Sequence, residues 1–146
     1  MEAIVAASSL LIGREVASQT ISSTSSSIIN RLGHINDNYG TDCEQLFTDL
    51  DIKFKIDIIS SYISKIHDEL MVASCDTISK CVEFIKETLI EIEQNMQTLQ
   101  NIKTDYDKQW FGNAISSSKF TTSFNNIKIK VIILDQRFDM LMKLIS

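Results

Sequence analysis

The chain has 146 residues, 44% of them hydrophobic and 23% charged, with a formal net charge of −5 at pH 7. That length supports one domain with a core of its own, and the acidic balance excludes the basic stripe on which nucleic-acid binding depends. Lys53, Lys55, Lys128 and Lys130 stand among acidic and apolar neighbours and form no cluster.

The first stretch, AIVAASSLLIG over 3–13, is apolar but short, follows Glu2 and lacks a basic flank. A secretory signal is not expected from it, and no segment reaches the length that spans a bilayer. Stepping from Ile4 by alternate threes and fours gives Ala7, Leu11, Arg14, Ser18, Ile21, Ser25, Ile28, Leu32 and Ile35. The part QTISSTSSSIINRLGHI has the composition of a linker. Its period nevertheless holds Ile21, Ile28, Leu32 and Ile35 in phase, which a linker has no reason to do. A helix over about 3–33 is predicted, ending at Gly33 with His34 in the loop beyond. Ser18 and Ser25 thin its apolar stripe, and Ser and Thr have modest helix propensity. It is expected to be the least stable helix of the chain.

NDNYG at 36–40 reads as a loop, and Thr41 to Glu44 has the form of a capping box. The second helix is predicted over about 42–72, with Ile52, Ile56, Ile59, Ile63, Ile66 and Leu70 as its seam and Ala73 one step beyond. Phe47, Leu50 and Phe54 lie on a stripe rotated from that seam, which places a kink near Asp49 to Asp51. The third helix, about 76–111, starts at a Ser74 or Asp76 cap and stops at Gly112. Its seam is Ile78, Val82, Ile85, Leu89, Ile92, Met96 and Leu99. The fourth, about 119–145, carries Phe120, Phe124, Ile127, Val131, Leu134, Phe138, Leu141 and Ile145 at the same spacing. Side chains at this period form one stripe and need partner helices to cover it. The chain contains no proline, the residue that breaks helix interiors. The predicted fold is all-α, a single antiparallel bundle of four long helices forming one domain over 1–146.

Reactive groups are few. His67 precedes Asp68 and Glu69, yet the Glu-x-x-His pairs of di-iron bundles do not occur. Glu83, Glu87 and Glu91 share a helix face opposite the seam, where a solvated surface is expected. Cys43, Cys75 and Cys81 form no CxxC, leave an odd thiol, and coincide with no glycosylation sequon, which predicts a reducing, intracellular setting. Cys43 sits in a first turn and Cys81 borders a seam. Neither has a histidine partner in sequence, so both read as small buried hydrophobes. Phosphate loops and the common hydrolase motifs do not occur. The expectation is a non-enzymatic protein with no catalytic residues, no metal, no cofactor and no small-molecule substrate.

The apolar residues outside the seams are more informative. Ile129, Ile132, Ile133 and Met140 cluster on the back of the fourth helix; Phe47, Phe54, Ile58 and Tyr62 form a comparable stripe on the second. Trp110 and Phe111, at the end of the longest helix, suit an anchor role or equally a plug for the end of the bundle. A helix apolar on two sides is covered by something. Phe54, Ile58, Tyr62, Trp110, Phe111, Ile129, Ile132, Ile133 and Met140 are therefore candidate interface residues for a second copy or another protein. The alternative is a wider, globin-like packing that buries them internally.

The segments DLDIKFKIDIISSYI, YDKQWF and ILDQRFDMLMKLIS, with the Ile/Asn/Lys/Asp/Ser bias, resemble parts of small helical proteins encoded by giant DNA viruses of amoebae. The resemblance spans roughly the last two-thirds of the chain and implies an origin, not an activity; in that viral setting, association through protein surfaces is expected to be structural or host-directed. The arrangement WF…SSSKF…F over 110–124, with the helix layout, is similar to the N-terminal four-helix domains of mixed-lineage-kinase-like necroptosis effectors. Those domains permeabilise membranes through basic residues, whereas this chain is acidic and has no basic cluster. Two functions are carried forward: association through protein surfaces, and membrane permeabilisation by a first helix that opens and inserts.

Overall fold

The computed structural model describes residues 2–39, 47–48, 50–66, 76–107 and 118–146, with side chains described over 17–35, 47–48, 50–66, 76–102 and 119–146. Four helices carry the fold: α1 (Glu2–Tyr39), α2 (Ile52–Lys65), α3 (Asp76–Asp107) and α4 (Ser118–Ile145). The described residues contain no strand.

The seams read from the period form the core. Ile85, Leu89, Ile92, Met96 and Leu99 of α3 meet Phe120, Ile127, Val131, Leu134 and Leu141 of α4, and all are buried. Ile52, Ile56, Ile59 and Ile63 of α2 and Ile21, Ile28, Leu32 and Ile35 of α1 close the other side. Burying side chains of this size contributes about 1.5–3 kcal/mol each before entropy is subtracted. Leu70 and Ala73 lie outside the described residues.

Helix α3 packs on both α1 and α4, while α2 packs on α1 and touches α4. The ring order is therefore α1, α3, α4, α2, with α2 diagonal to α3. Sequence neighbours run antiparallel: Arg137 of α4 reaches Phe84 and Thr88 of α3, and the earlier Lys130 reaches the later Glu91. Helices α1 and α3 run parallel, because Ser27 meets Glu93 and, one turn on, Arg31 meets Gln100. Helices α2 and α4 are also parallel: Lys55 pairs with Asp135, and Tyr62 with Phe138. The bundle is two antiparallel hairpins laid side by side. Parallel contacts between hairpins do not follow from heptads, which give a stripe and no connectivity.

Three helix ends, one on α1 and both on α2, differ from expectation. Helix α1 does not stop at Gly33 but continues to Tyr39, so His34 lies inside the helix and is exposed. Glycine in a helix interior costs about 0.5–1 kcal/mol relative to alanine. Leu32 and Ile35, buried on either side of it, outweigh that cost. The second correction is to the continuous helix over 42–72. Asp51 has φ 55° and ψ 34°, a left-handed conformation that cannot continue a helix, and α2 begins only at Ile52. Its N–H donates to the Thr48 carbonyl (3.0 Å) while its own carbonyl accepts from Lys55 N–H (3.1 Å). One turn closes and the next opens at the same residue. Asp tolerates this conformation better than most residues, so the kink expected near Asp49 to Asp51 falls here. The reversal turns Phe47 inward as well as Ile52, and Phe47 packs edge-on against Phe124 with ring centroids 5.5 Å apart. Phe47 is thus a core residue and no part of an outer stripe. At its other end α2 stops at Lys65, with Ile66 N–H donating to the Tyr62 carbonyl at 3.0 Å.

Candidate functional site

Among the described residues, exposed large apolar side chains gather on the back of α4. At about 100° per residue, the positions that bury Ile127, Val131 and Leu134 send Ile129 and Ile132 outward. Ile129 is 53% exposed, Ile132 58% and Met140 55%, while Ile133 is half-buried. On the neighbouring α2, Phe54 is 61% exposed and Ile58 46%. Between the two helices, Lys55 Nζ bridges to Asp135 Oδ2 at 2.9 Å. Tyr62 packs edge-on against Phe138, centroids 5.7 Å apart, so it belongs to the α2–α4 contact and is only half-exposed. Ile58 and Ile132 flank this seam, each three residues from a member of the ion pair. Trp110 and Phe111 lie outside the described residues.

The other flank of α4 meets α3 at an open groove of about 420 Å³. Cys81, Phe84, Met140 and Leu144 line it, with Arg137 at its side. Phe84 is 46% exposed. Arg137 lies over its ring, 5.3 Å from the centroid, and its Nη1 donates to the Phe84 carbonyl (2.8 Å) and to Thr88 Oγ1. Thr88 is fully buried and donates back to the same carbonyl at 2.8 Å. The Cys81 thiol donates to the Arg137 carbonyl at 3.3 Å. Burial pushes that thiol up from its ordinary value and the Arg137 guanidinium pulls it down, with burial prevailing. A thiol so protonated is a poor nucleophile. The reading of Cys81 as a small buried hydrophobe fits this environment. Cys43, Cys75 and His67 lie outside the described residues.

The acidic row on α3 is tied down rather than free. Glu83 pairs with Lys86 and Glu91 with Lys130 across to α4, and both carboxylates are half-buried. Only Glu87 of the three is fully on the solvated face. The described residues contain no group of three or more His, Cys, Asp or Glu placed to hold a metal ion. A second cleft, of about 430 Å³, lies between α1 and the start of α2, lined by Gly33, Phe47, Asp51 and Phe54 among others.

Sequence reasoning missed Phe84 and Arg137. Phe84 sits beside the seam residue Ile85 and between Glu83 and Glu87, and a large aromatic on an otherwise solvated face was its signal. Arg137 carries no such mark, because its partners come from another helix 49 and 53 residues away in sequence. No protein-family model, no curated protein and no solved structure matches the chain.

Proposed function

We propose that the protein acts through protein–protein association across the outer faces of α2 and α4, with no catalysis of its own. The observation that carries this reading is the exposure of Phe54, Ile58, Ile129 and Ile132 on two adjacent, parallel helices; Met140, equally exposed, lies on the α3 side of α4. Large apolar patches rimmed by polar residues mark interaction surfaces on proteins of this size. Here the rim holds Lys53, Asp57, Lys128 and Asp139, all exposed and of both signs. That composition suits a partner with a similarly mixed border. A second copy of the chain is the first partner to test. In a viral setting of the kind the resemblance implies, the role is structural or directed at a host protein.

Light scattering on the eluting protein tests this directly. Wild type is expected above the monomer mass, and Ile129→Glu with Ile132→Glu is expected to return it to the monomer with helical circular dichroism intact. Loss of helicity in the double variant would place these residues in the core and end the proposal. The membrane reading has no comparable support, since no helix among the described residues is long and apolar enough to cross a bilayer. Leakage from anionic liposomes would restore it.

A further inference from the structure

We propose that the groove between the first half of α3 and the last half of α4 binds a small amphipathic oxyanion, with Arg137 holding the charged head and Phe84, Met140 and Leu144 the apolar tail. This goes beyond association through α2 and α4, since it uses the opposite flank of α4 and a ligand of different size.

The charge comes first. Among the described residues, four other cations are half-buried, and each touches a carboxylate: Arg31 with Glu93, Lys55 with Asp135, Lys86 with Glu83, and Lys130 with Glu91. Arg137 is equally half-buried and touches none among the described residues. Its acceptors are the Phe84 carbonyl and the Thr88 hydroxyl, both neutral. A partly desolvated charge without a counter-ion is costly, and an anion placed beside it recovers that cost. Both acceptors take Nη1, and guanidinium has five N–H donors in a planar fork. The donors on Nε and Nη2 therefore remain for a carboxylate or phosphate, which match that fork.

Orientation and lining follow. The Phe84 ring under the guanidinium and the two α3 acceptors fix Arg137 before any ligand arrives, which lowers the entropy lost on binding. The open surface of the groove is almost wholly apolar, although Thr77, Gln136 and Lys80, the last paired with Asp76, also border it, and its volume of about 420 Å³ lies within the range of small-ligand sites. Phe84 and Met140 stay largely exposed there, so a tail laid along the groove removes apolar surface from water. The positive field reaches the groove floor, where it opposes the effect of burial on the Cys81 thiol.

Calorimetric titration of the full chain with monomeric dodecanoate, dodecyl phosphate, dodecanol and dodecylammonium tests this. One dodecanoate or dodecyl phosphate per chain is expected, whichever head binds tighter identifying the preferred oxyanion, with dodecanol and dodecylammonium at least about tenfold weaker. Arg137→Gln is expected to weaken the oxyanions about tenfold and leave dodecanol unchanged, while Lys143→Gln, on the exposed face of the same helix, changes nothing. Equal binding of dodecanol and dodecanoate, or wild-type oxyanion affinity in Arg137→Gln, overturns the proposal. Should Arg137→Gln lose its helical circular dichroism, the Met140 methyl resonance of wild type decides. A shift on adding dodecanoate supports the site, and no shift overturns it.

Discussion

The interfaces that α3 makes with its two neighbours are built on different chemistry. Towards α4 it presents Ile85, Leu89, Ile92 and Met96 to Ile127, Val131 and Leu134, every one of them buried and apolar. Towards α1 the buried layer is diluted: Ile21 and Ile28 alternate with Ser18, Thr24 and Ser25. Polar groups bracket that second seam, with Ser27 donating to Glu93 at 3.0 Å, and Arg31 to Gln100 at 2.5 Å and beside Glu93 at 3.7 Å. Ser25 Oγ is buried and has no hydrogen-bond partner. The contrast shows that a helix needs its apolar stripe in phase, not undiluted. Phase decides where α1 lies, and composition decides how tightly it is held.

The largest effect that separates the seams is a cavity. Leu89 is fully buried on α3, and Leu89→Ala is expected to cost about 2–5 kcal/mol, read from urea unfolding. A cost below about 1 kcal/mol would mean that the α3–α4 layer can collapse around the gap and is not closely packed.

Ser25→Ala should act in the opposite direction by about 1 kcal/mol. It removes a buried hydroxyl that lacks a partner, and alanine is the better helix former. Exposed Ser22 on the same helix provides the control, since Ser22→Ala gains only the propensity term of about 0.5 kcal/mol. Native-state hydrogen exchange should show α1 amides slowing in Ser25→Ala while α3 amides, already the more protected, change less. Equal protection of α1 and α3 in wild type would dissolve the contrast between the seams.

The same contrast explains what could be read in the sequence. The stripes of α3 and α4 were legible residue by residue, because each position from Ile78 to Leu99 and from Phe120 to Leu134 obeys one period. In α1 the period outweighed a serine-rich composition, and Ile21, Ile28 and Ile35 lie where it placed them. Local signals were less faithful. Gly33 looked like a helix end, yet burial of its neighbours carried the helix on; Phe47 looked like an outer residue, yet the left-handed turn at Asp51 moved it inside. Phe54, Ile58, Ile129 and Ile132 were legible as surplus apolar surface, since helical geometry alone sets them opposite the seam. The groove was not legible. It depends on which turn of α3 stands against Arg137, and inter-helix register leaves no trace in a single sequence.

The smallest difference concerns two buried residues of similar size, Ser25 and Cys81, of which only the second has found an acceptor. The Cys81 thiol is raised above its ordinary 9.0 by burial, with Arg137 opposing. Well below its ordinary value the thiol is protonated in both the folded and unfolded chains, so it adds no pH dependence there. As pH rises further the unfolded chain releases this proton first and then binds fewer protons than the folded one. Stability should fall until the pH passes the folded-state value. Urea midpoints at about pH 8 and about pH 10 measure the slope. Cys81→Ala is expected to make the decline shallower than in wild type, because the group that couples folding to proton release is gone. Ser25→Ala should shift both midpoints together and leave the slope alone, because a hydroxyl does not titrate in this range. Identical slopes for wild type and Cys81→Ala would show that the thiol ionises as readily in the folded chain as in the unfolded one. The Arg137 charge would then offset the effect of burial in full.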